Sequence, residues 1–324
     1  MTRTAQPAPP PLGLHARFNR VCEDLWPTLQ AEWAAAHPGG RFSLEVLAQI
    51  DSTSSELMRR VRQGDTEPTV LVAVDQTAGR GRRGHTWTSR PGDSLTVSIG
   101  LPLAPAQWSG LSLAVGVSLA ESLAPLLAPS AQGIPPAGGN PPHTPPVPGR
   151  SAAAAPLLRL KWPNDLWLDD QKLGGVLVET AHAGEHRHAV VGLGLNLAVP
   201  TGPLAGPAGG VQPPAVAPTG LWRHAPELDA AQVLHAVLPA LLRDLLAFEA
   251  LGFSAFAQRF AARDRLKDQA VWLSDGRQGT GCGVDDDGGL RVLTPDGLQT
   301  LHSADVSVRP LPLAAAPTAK EPPC

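Results

Sequence analysis

Leu14, Phe18, Leu25, Leu29 and Trp33 recur at helical spacing within residues 12–36, and His37-Pro38-Gly39-Gly40 ends the run. This pattern predicts one amphipathic helix. Phe42, Leu44, Val46, Ala48 and Ile50 then alternate with more polar neighbours, as in a half-buried strand. The polar stretch Asp51 to Glu56 predicts the start of a second helix, with Thr53 and Glu56 as its capping box. A continuous apolar run from Thr69 to Asp75 fits a buried strand, and Leu95, Val97, Ile99 and Leu101 alternate in another. A helix is expected from Trp108 to Leu127, and strands over 157–162, 175–179 and 188–199. Helical patterns resume over 229–251 and 253–263. From 267 to 310 the character changes: Val271-Trp272-Leu273, Leu290-Arg291-Val292-Leu293 and Val306-Ser307-Val308 are short runs separated by Gly and Asp. They predict a small β-barrel appended to a larger α+β body.

Two stretches break this alternation. Residues 128–156 collapse into proline, glycine and alanine with almost no charge, and 200–220 are a shorter case. Such segments bury too little apolar surface to offset their ordering entropy, so both are expected to be disordered surface insertions.

Composition adds exclusions. With 324 residues, 43% apolar and 17% charged, the chain is long enough for a substantial core and more than one domain. A net charge of -3 argues against a broad nucleic-acid footprint. Cys22, Cys282 and Cys324 are odd in number and lack metal-ligand spacing, which disfavours a disulfide framework or a zinc site. No signal-peptide core is visible and no stretch reads as a bilayer span, so a cytoplasmic setting is expected. The only lysines are Lys161, Lys172, Lys267 and Lys320, and two of these four fall in one short region.

That region carries chemistry. In Gly79-Arg80-Gly81-Arg82-Arg83-Gly84, three glycines expose backbone amides beside three guanidiniums, a combination able to hold an anion such as an acyl phosphate. No Walker loop or dinucleotide fingerprint is present, and an exposed basic turn is the alternative. In Lys161-Trp162-Pro163-Asn164-Asp165, Pro163 forces a turn that presents Asn164 and Asp165 at a strand end. There Asp165 could bind magnesium or orient an amine, or both side chains could merely satisfy backbone groups. Lys172 returns to the same sheet edge. Gly192-Leu193-Gly194-Leu195-Asn196 is a narrow glycine-lined wall or a strand packed closely on its neighbour.

Taken in order, these residues resemble the biotin protein ligases. The resemblance rests on Asp51-Ser52-Thr53, Gln76, the Gly79–Gly84 loop with Trp87, Lys161–Asp165, Lys172-Leu173-Gly174-Gly175 and Gly192–Asn196. It continues through Gly283 to Leu290 and Asp305-Val306-Ser307-Val308-Arg309, and covers roughly 42–310. It implies an α+β, class II synthetase-like catalytic domain, a mixed sheet flanked by helices, followed by an SH3-like barrel. The expected layout is a Pro-rich leader and helix over 1–41, a catalytic domain over 42–265, the barrel over 266–311 and a loose tail over 312–324.

The implied reaction uses ATP and biotin, with Mg2+ carried mainly by the ATP phosphates, to make biotinyl-5′-AMP. The biotinyl group then passes to a lysine of a biotin carboxyl carrier protein. The implied catalytic residues are Lys172, Arg82 and Asp165, the last in the transfer step. Biotin would meet Ser52, Thr53, Ser54, Gln76, Arg80, Gly81, Arg82, Lys172, Gly174 and Gly175, and the nucleotide Arg82, Arg83, Trp87, Lys161, Asn164 and Asn196. Ser54 stands where the family commonly has asparagine, Arg90 where it commonly has proline, and His85 where a basic residue is common. A lipoate or octanoate ligase is the main alternative, disfavoured by the arginine loop and Lys161–Asp165. A bifunctional ligase and repressor is less expected, because about forty residues precede the first catalytic strand and hold one predicted helix. No nucleic-acid or membrane partner is expected, while the family's habit of pairing through a sheet edge allows a homodimer.

Overall fold

The computed structural model describes residues 13–128, 157–184, 186–200, 216–302 and 308–310. Residues 129–156 and 201–215 of the two expected insertions, the leader up to residue 12, residues 303–307 and the tail lie outside the described residues. The end of the second expected insertion is not disordered: Lys172 N donates to the Ala217 carbonyl at 3.1 Å and Thr219 N to that of Lys172 at 2.9 Å, and Thr219 is buried.

Helix α1 (Leu14–Ala36) buries Phe18, Cys22, Leu25, Leu29 and Trp33 on the predicted stripe. Strand β1 (Ser43–Ile50) leads into α2 (Thr53–Arg62). The expected capping box of Thr53 and Glu56 is not formed, and the helix is capped one residue earlier. Ser52 is the N-cap and accepts from Ser55 N at 3.4 Å, whereas Thr53 is the first helical residue and turns its hydroxyl toward the sheet. Glu56 pairs with Arg59 and Arg60 within the helix rather than with the cap.

Strand β2 (Thr69–Gln76) is followed by a short hairpin, β3 (Gly79–Arg80) with β4 (Thr86–Trp87), and then by β5 (Ser94–Pro102). The glycine-arginine segment is therefore a two-stranded ribbon closed by a 3₁₀ turn at Arg82–Gly84, not a plain loop. Helix α3 (Leu111–Leu127) starts later than its apolar pattern suggests. Strands β6 (Leu158–Lys161) and β7 (Asp165–Leu168) form a hairpin across Trp162-Pro163-Asn164. Strand β8 (Gln171–Ala183) begins earlier and ends later than the sequence pattern, and β9 (His186–Asn196) pairs with it.

These strands make a seven-stranded sheet in the order β1-β2-β5-β9-β8-β7-β6. Only the β1–β2 pairing in it is parallel, so the sheet is mixed. Helix α4 (Ala230–Leu251) carries a capping box between Asp229 and Gln232, and the short α5 (Ala257–Ala261) follows a 3₁₀ turn at Phe253–Ala255. Helices α1, α3 and α4 share the main apolar core with one face of the sheet, while Leu57, Met58 and Val61 of α2 meet Leu71, Ala181 and Val190 on the other. Contrary to the sequence reading, α4 is long and apolar enough to cross a bilayer. Its apolarity is used internally: Val233, Leu234, Val237, Leu238, Leu241, Leu242, Leu245 and Phe248 are all buried.

The C-terminal strands are β10 (Ala270–Leu273), β11 (Gln278–Val284), β12 (Leu290–Thr294), β13 (Gly297–Leu301) and β14 (Val308–Pro310). They form a second, antiparallel sheet in the order β13-β12-β11-β10-β14, in keeping with the expected SH3-like unit. Leu266, Val271, Leu273, Leu290, Val292, Leu301 and Val308 belong to the same core as the large sheet. Trp162 Nε1 donates to the Gly288 carbonyl at 3.0 Å across the junction.

Candidate functional site

The sheet face that carries α2 is not covered by the three long helices, and the motif residues gather there. At one end lies a polar notch. The Gln76 side-chain oxygen, at the end of β2, accepts from Thr53 N at 2.8 Å and from the Thr53 hydroxyl at 3.1 Å. The Thr53 and Ser54 hydroxyls both meet Ser98 Oγ, at 2.7 and 2.9 Å. Ser98, on β5, is fully buried and was not singled out by the sequence. Its signal was the alternation of β5, which puts Thr96 and Ser98 on the face opposite Leu95, Val97 and Ile99.

Beside the notch runs a strip of glycine backbone on which other side chains lie directly. Gly192 and Gly194 are two apart on β9 and so share a face, and Gly194 is in register with Gly175 of β8. A Cβ at Gly192 would strike Ser54 Oγ, and one at Gly194 would strike the Trp87 ring. Gly175 looks toward Asn164 and Asp165. Gly174 points the other way, packed on Gly194 O and Leu195, so it can offer a ligand on this face only its backbone. Gly194→Ala is expected to push the Trp87 indole off the strip and to destabilise the fold by about 1–3 kcal/mol, read by thermal unfolding.

At the far end sits an ion cluster. Lys161 ends β6, Asp165 begins β7 and Lys172 lies near the start of β8, so the β6–β7–β8 meander folds them together. Asp165 Oδ1 accepts from Lys172 Nζ at 2.7 Å and Oδ2 from Lys161 Nζ at 3.1 Å. Asn164 donates to the Val176 carbonyl at 2.9 Å, while its oxygen accepts from Arg82 Nη1 at 3.2 Å. Arg82 and Lys172 thus converge on adjacent residues, Asn164 and Asp165. Three cations face one carboxylate, an excess of positive charge suited to an anion.

The electrostatics follow from burial. Desolvation pushes the Asp165 pKa up, but the ammoniums of Lys172 and Lys161 outweigh it and hold the carboxyl well below its ordinary value of 3.8. Burial lowers the Arg82 pKa, with Asp165 opposing and Arg83 adding to the shift. Because the folded value of Asp165 is depressed, its stabilising contribution is present above the unfolded value and is lost as pH falls through the folded one. The difference in melting temperature between wild type and Asp165→Asn should therefore stay level from about pH 8 to about pH 5 and close only in stronger acid.

The remaining predicted residues are distributed around these two ends. Arg80 Nη2 donates to Glu179 Oε1 at 2.9 Å and its Nη1 to Ser55 Oγ at 3.4 Å, tying the β3–β4 ribbon to the sheet. Gly81 accompanies Arg82 at the ribbon's tip, where Gly81 N donates to His85 O at 2.7 Å and Arg83 adopts a left-handed backbone, φ 54°. Asn196 ends β9 on the same face as Gly194 and donates to the Thr219 carbonyl at 3.1 Å. Ser52, buried, completes the start of α2.

Comparison with known proteins places the chain in a family. The profile of the biotin/lipoate A/B protein ligase family matches residues 46–196, and that of the biotin protein ligase C-terminal domain matches residues 278–309. A biotin–(acetyl-CoA-carboxylase) ligase of Paracoccus denitrificans is 30% identical over 272 residues, covering 81% of this chain and 98% of that protein. The chain belongs to the biotin/lipoate A/B protein ligase family.

Another family member, a biotin–(acetyl-CoA-carboxylase) ligase of Mycobacterium tuberculosis, is 35% identical over 52% of this chain; the match spans only 54% of that relative's length. Among solved structures of the family, the biotin protein ligase of Aquifex aeolicus in complex with biotin and ATP superposes with a TM-score of 0.61 at 26% identity. It covers 83% of this chain and 99% of that one.

Proposed function

We propose that this chain is a biotin protein ligase. It joins biotin to the α-phosphate of MgATP, releases pyrophosphate, and passes the biotinyl group from biotinyl-5′-AMP to a lysine of a biotin carboxyl carrier domain such as that of acetyl-CoA carboxylase. The observation that carries this reading is one sheet face with a hydroxyl and amide cluster at one end and Arg82, Lys161 and Lys172 gathered around Asn164 and Asp165 at the other. Family membership and the likeness to a ligase that holds biotin and ATP support it.

The residue types suit the first step. A carboxylate must approach a phosphate that is itself negative, and Lys172 and Arg82 offset that repulsion and the charge that develops on the phosphoryl oxygens. Ser52, Thr53, Ser54 and Gln76 supply hydrogen-bonding groups for a cyclic urea, with Arg80 and Gly81 closing the ribbon over it. Gly192 and Gly194 let Ser54 and the Trp87 indole lie directly on the strand, so that these two side chains, with Gly175 beside them, would form the wall met by the apolar ring and chain. Trp87, Arg83, Lys161, Asn164 and Asn196 fall to the nucleotide. Magnesium enters as part of the substrate, and among the described residues no cluster of three or more His, Cys, Asp or Glu suggests a resident ion.

In the second step Asp165 orients the incoming amine. Its depressed pKa makes it a weak base but keeps it ionised, able to accept a charge-assisted hydrogen bond from an ammonium. We assign this chemistry to residues 42–265, with 266–311 as the smaller C-terminal unit. The same reading carries a cytoplasmic setting, and leaves the outer strand β1 as the edge through which two copies would pair, since β6 is already bonded at Leu160 to Arg263 and Arg265.

Mass spectrometry of a carrier domain incubated with this protein, biotin and MgATP tests the proposal. One biotinylated lysine and stoichiometric pyrophosphate are expected with biotin and not with lipoate. Lipoylation of a carrier, or no modification, would overturn it.

A further inference from the structure

The three hydroxyls of the notch are connected in a line, and their geometry fixes which way every proton points. Thr53 N can only donate, so the Gln76 atom 2.8 Å from it is the amide oxygen. That oxygen carries no hydrogen, so the proton in its 3.1 Å contact with Thr53 Oγ1 belongs to the threonine. Thr53 has no second hydroxyl proton, and its 2.7 Å contact with Ser98 must be filled by the Ser98 proton. Ser98 is then spent as a donor, and the 2.9 Å contact with Ser54 must be filled from Ser54. The chain runs in one direction, Ser54 to Ser98 to Thr53 to Gln76.

Resting on the reading of the notch as the seat of the biotin head, we infer that Ser98 is a positioning residue. Thr53 N orients the Gln76 amide and Gln76 accepts from the Thr53 hydroxyl, so Ser98 must donate its own proton to Thr53 and thereby hold Ser54 as an acceptor. The line so ordered selects a ligand that brings ring N–H groups to the start of α2. Ser98 is fully buried and stands behind Thr53 and Ser54, so it acts through them. Gly192 is its register partner on β9, and a side chain there would strike the Ser54 hydroxyl at the end of the line. Without Ser98 the Ser54 proton has no fixed partner and is free to turn against an incoming N–H. Ser54, which replaces the asparagine common in the family, thereby serves as an acceptor through its hydroxyl alone.

The test compares biotin with carbamate analogues in which one ring N–H or the other is replaced by oxygen. Affinities for wild type, Ser98→Ala, Ser54→Ala and the double variant are measured by calorimetry. Wild type is expected to prefer biotin over at least one carbamate by about a hundredfold, and Ser98→Ala to reduce that ratio by about tenfold. Ser54→Ala should give a comparable reduction, and the double variant should lose little more than either single change, because the line acts as a unit. General loosening of the fold would weaken biotin and carbamate alike and leave the ratio unchanged. An unchanged ratio in Ser98→Ala, or, should that variant not fold, in Ser54→Ala, overturns the inference. Absence of biotin binding by wild type would overturn the functional reading, and the inference would fall with it.

Discussion

Lys172→Ala is expected to slow biotinyl-adenylate formation by about a hundredfold to a thousandfold, with little change in folding. The side chain is 39% exposed, and its one hydrogen bond of note is the 2.7 Å contact to Asp165. The exposure of the lysine end limits what this pair contributes to stability, and Lys161 remains on the other oxygen of the buried Asp165 as its second counter-ion. Chemistry is a different matter. A preorganised cation aimed at a developing phosphoryl charge is worth a hundredfold to a thousandfold when removed. Lys172→Arg should not restore the rate, since a planar fork cannot occupy the place of a compact ammonium between Asp165 and a phosphate. Pyrophosphate release at saturating biotin and MgATP gives the measurement. A loss below tenfold would assign Lys172 to structure.

The second large effect is expected at Asp165→Asn, where the two half-reactions should separate. Both carboxylate oxygens hold a lysine ammonium, so the neutral amide will let Lys161 and Lys172 drift and cost adenylate formation about tenfold. Transfer to the carrier should fall by a further hundredfold, because the acceptor amine loses the anion that orients it. Adenylate synthesis is followed by pyrophosphate release, and transfer by adding preformed biotinyl-5′-AMP with the carrier domain. Equal losses in both assays would remove Asp165 from the transfer step and leave it as a holder of lysines.

Much of this was legible in the chain, for reasons that differ from element to element. α1, β2, β5 and α4 carry long, regular apolar patterns, and burial follows pattern closely there. Of the β6–β7 hairpin, β6 and the turn at Pro163 were readable but β7 was not, because Asp165-Leu166-Trp167-Leu168 is too short and too apolar to display alternation. The β3–β4 ribbon was hidden for a similar reason: two-residue strands have no period, and their pairing depends on Gly79 and Trp87 meeting. At the cap of α2, local sequence favoured Thr53, but a tertiary partner in Gln76 won its hydroxyl. Ser98 was unreadable as a functional residue for a related reason, since a lone serine in an apolar strand has no motif. It gains meaning only when β5 and the start of α2 are brought together.

The junction at Trp162 and Gly288 has a practical consequence for anyone who would shorten this chain. Cutting after the large sheet would strip Leu290, Val292 and Leu301 from a core they share with α3 and β6, and would leave the indole N–H at the base of the Lys161–Asp165 turn with no acceptor. A trimmed version should fail by losing its grip on that turn, however intact its remaining motif residues, so transplants into other scaffolds must carry both sheets as one piece.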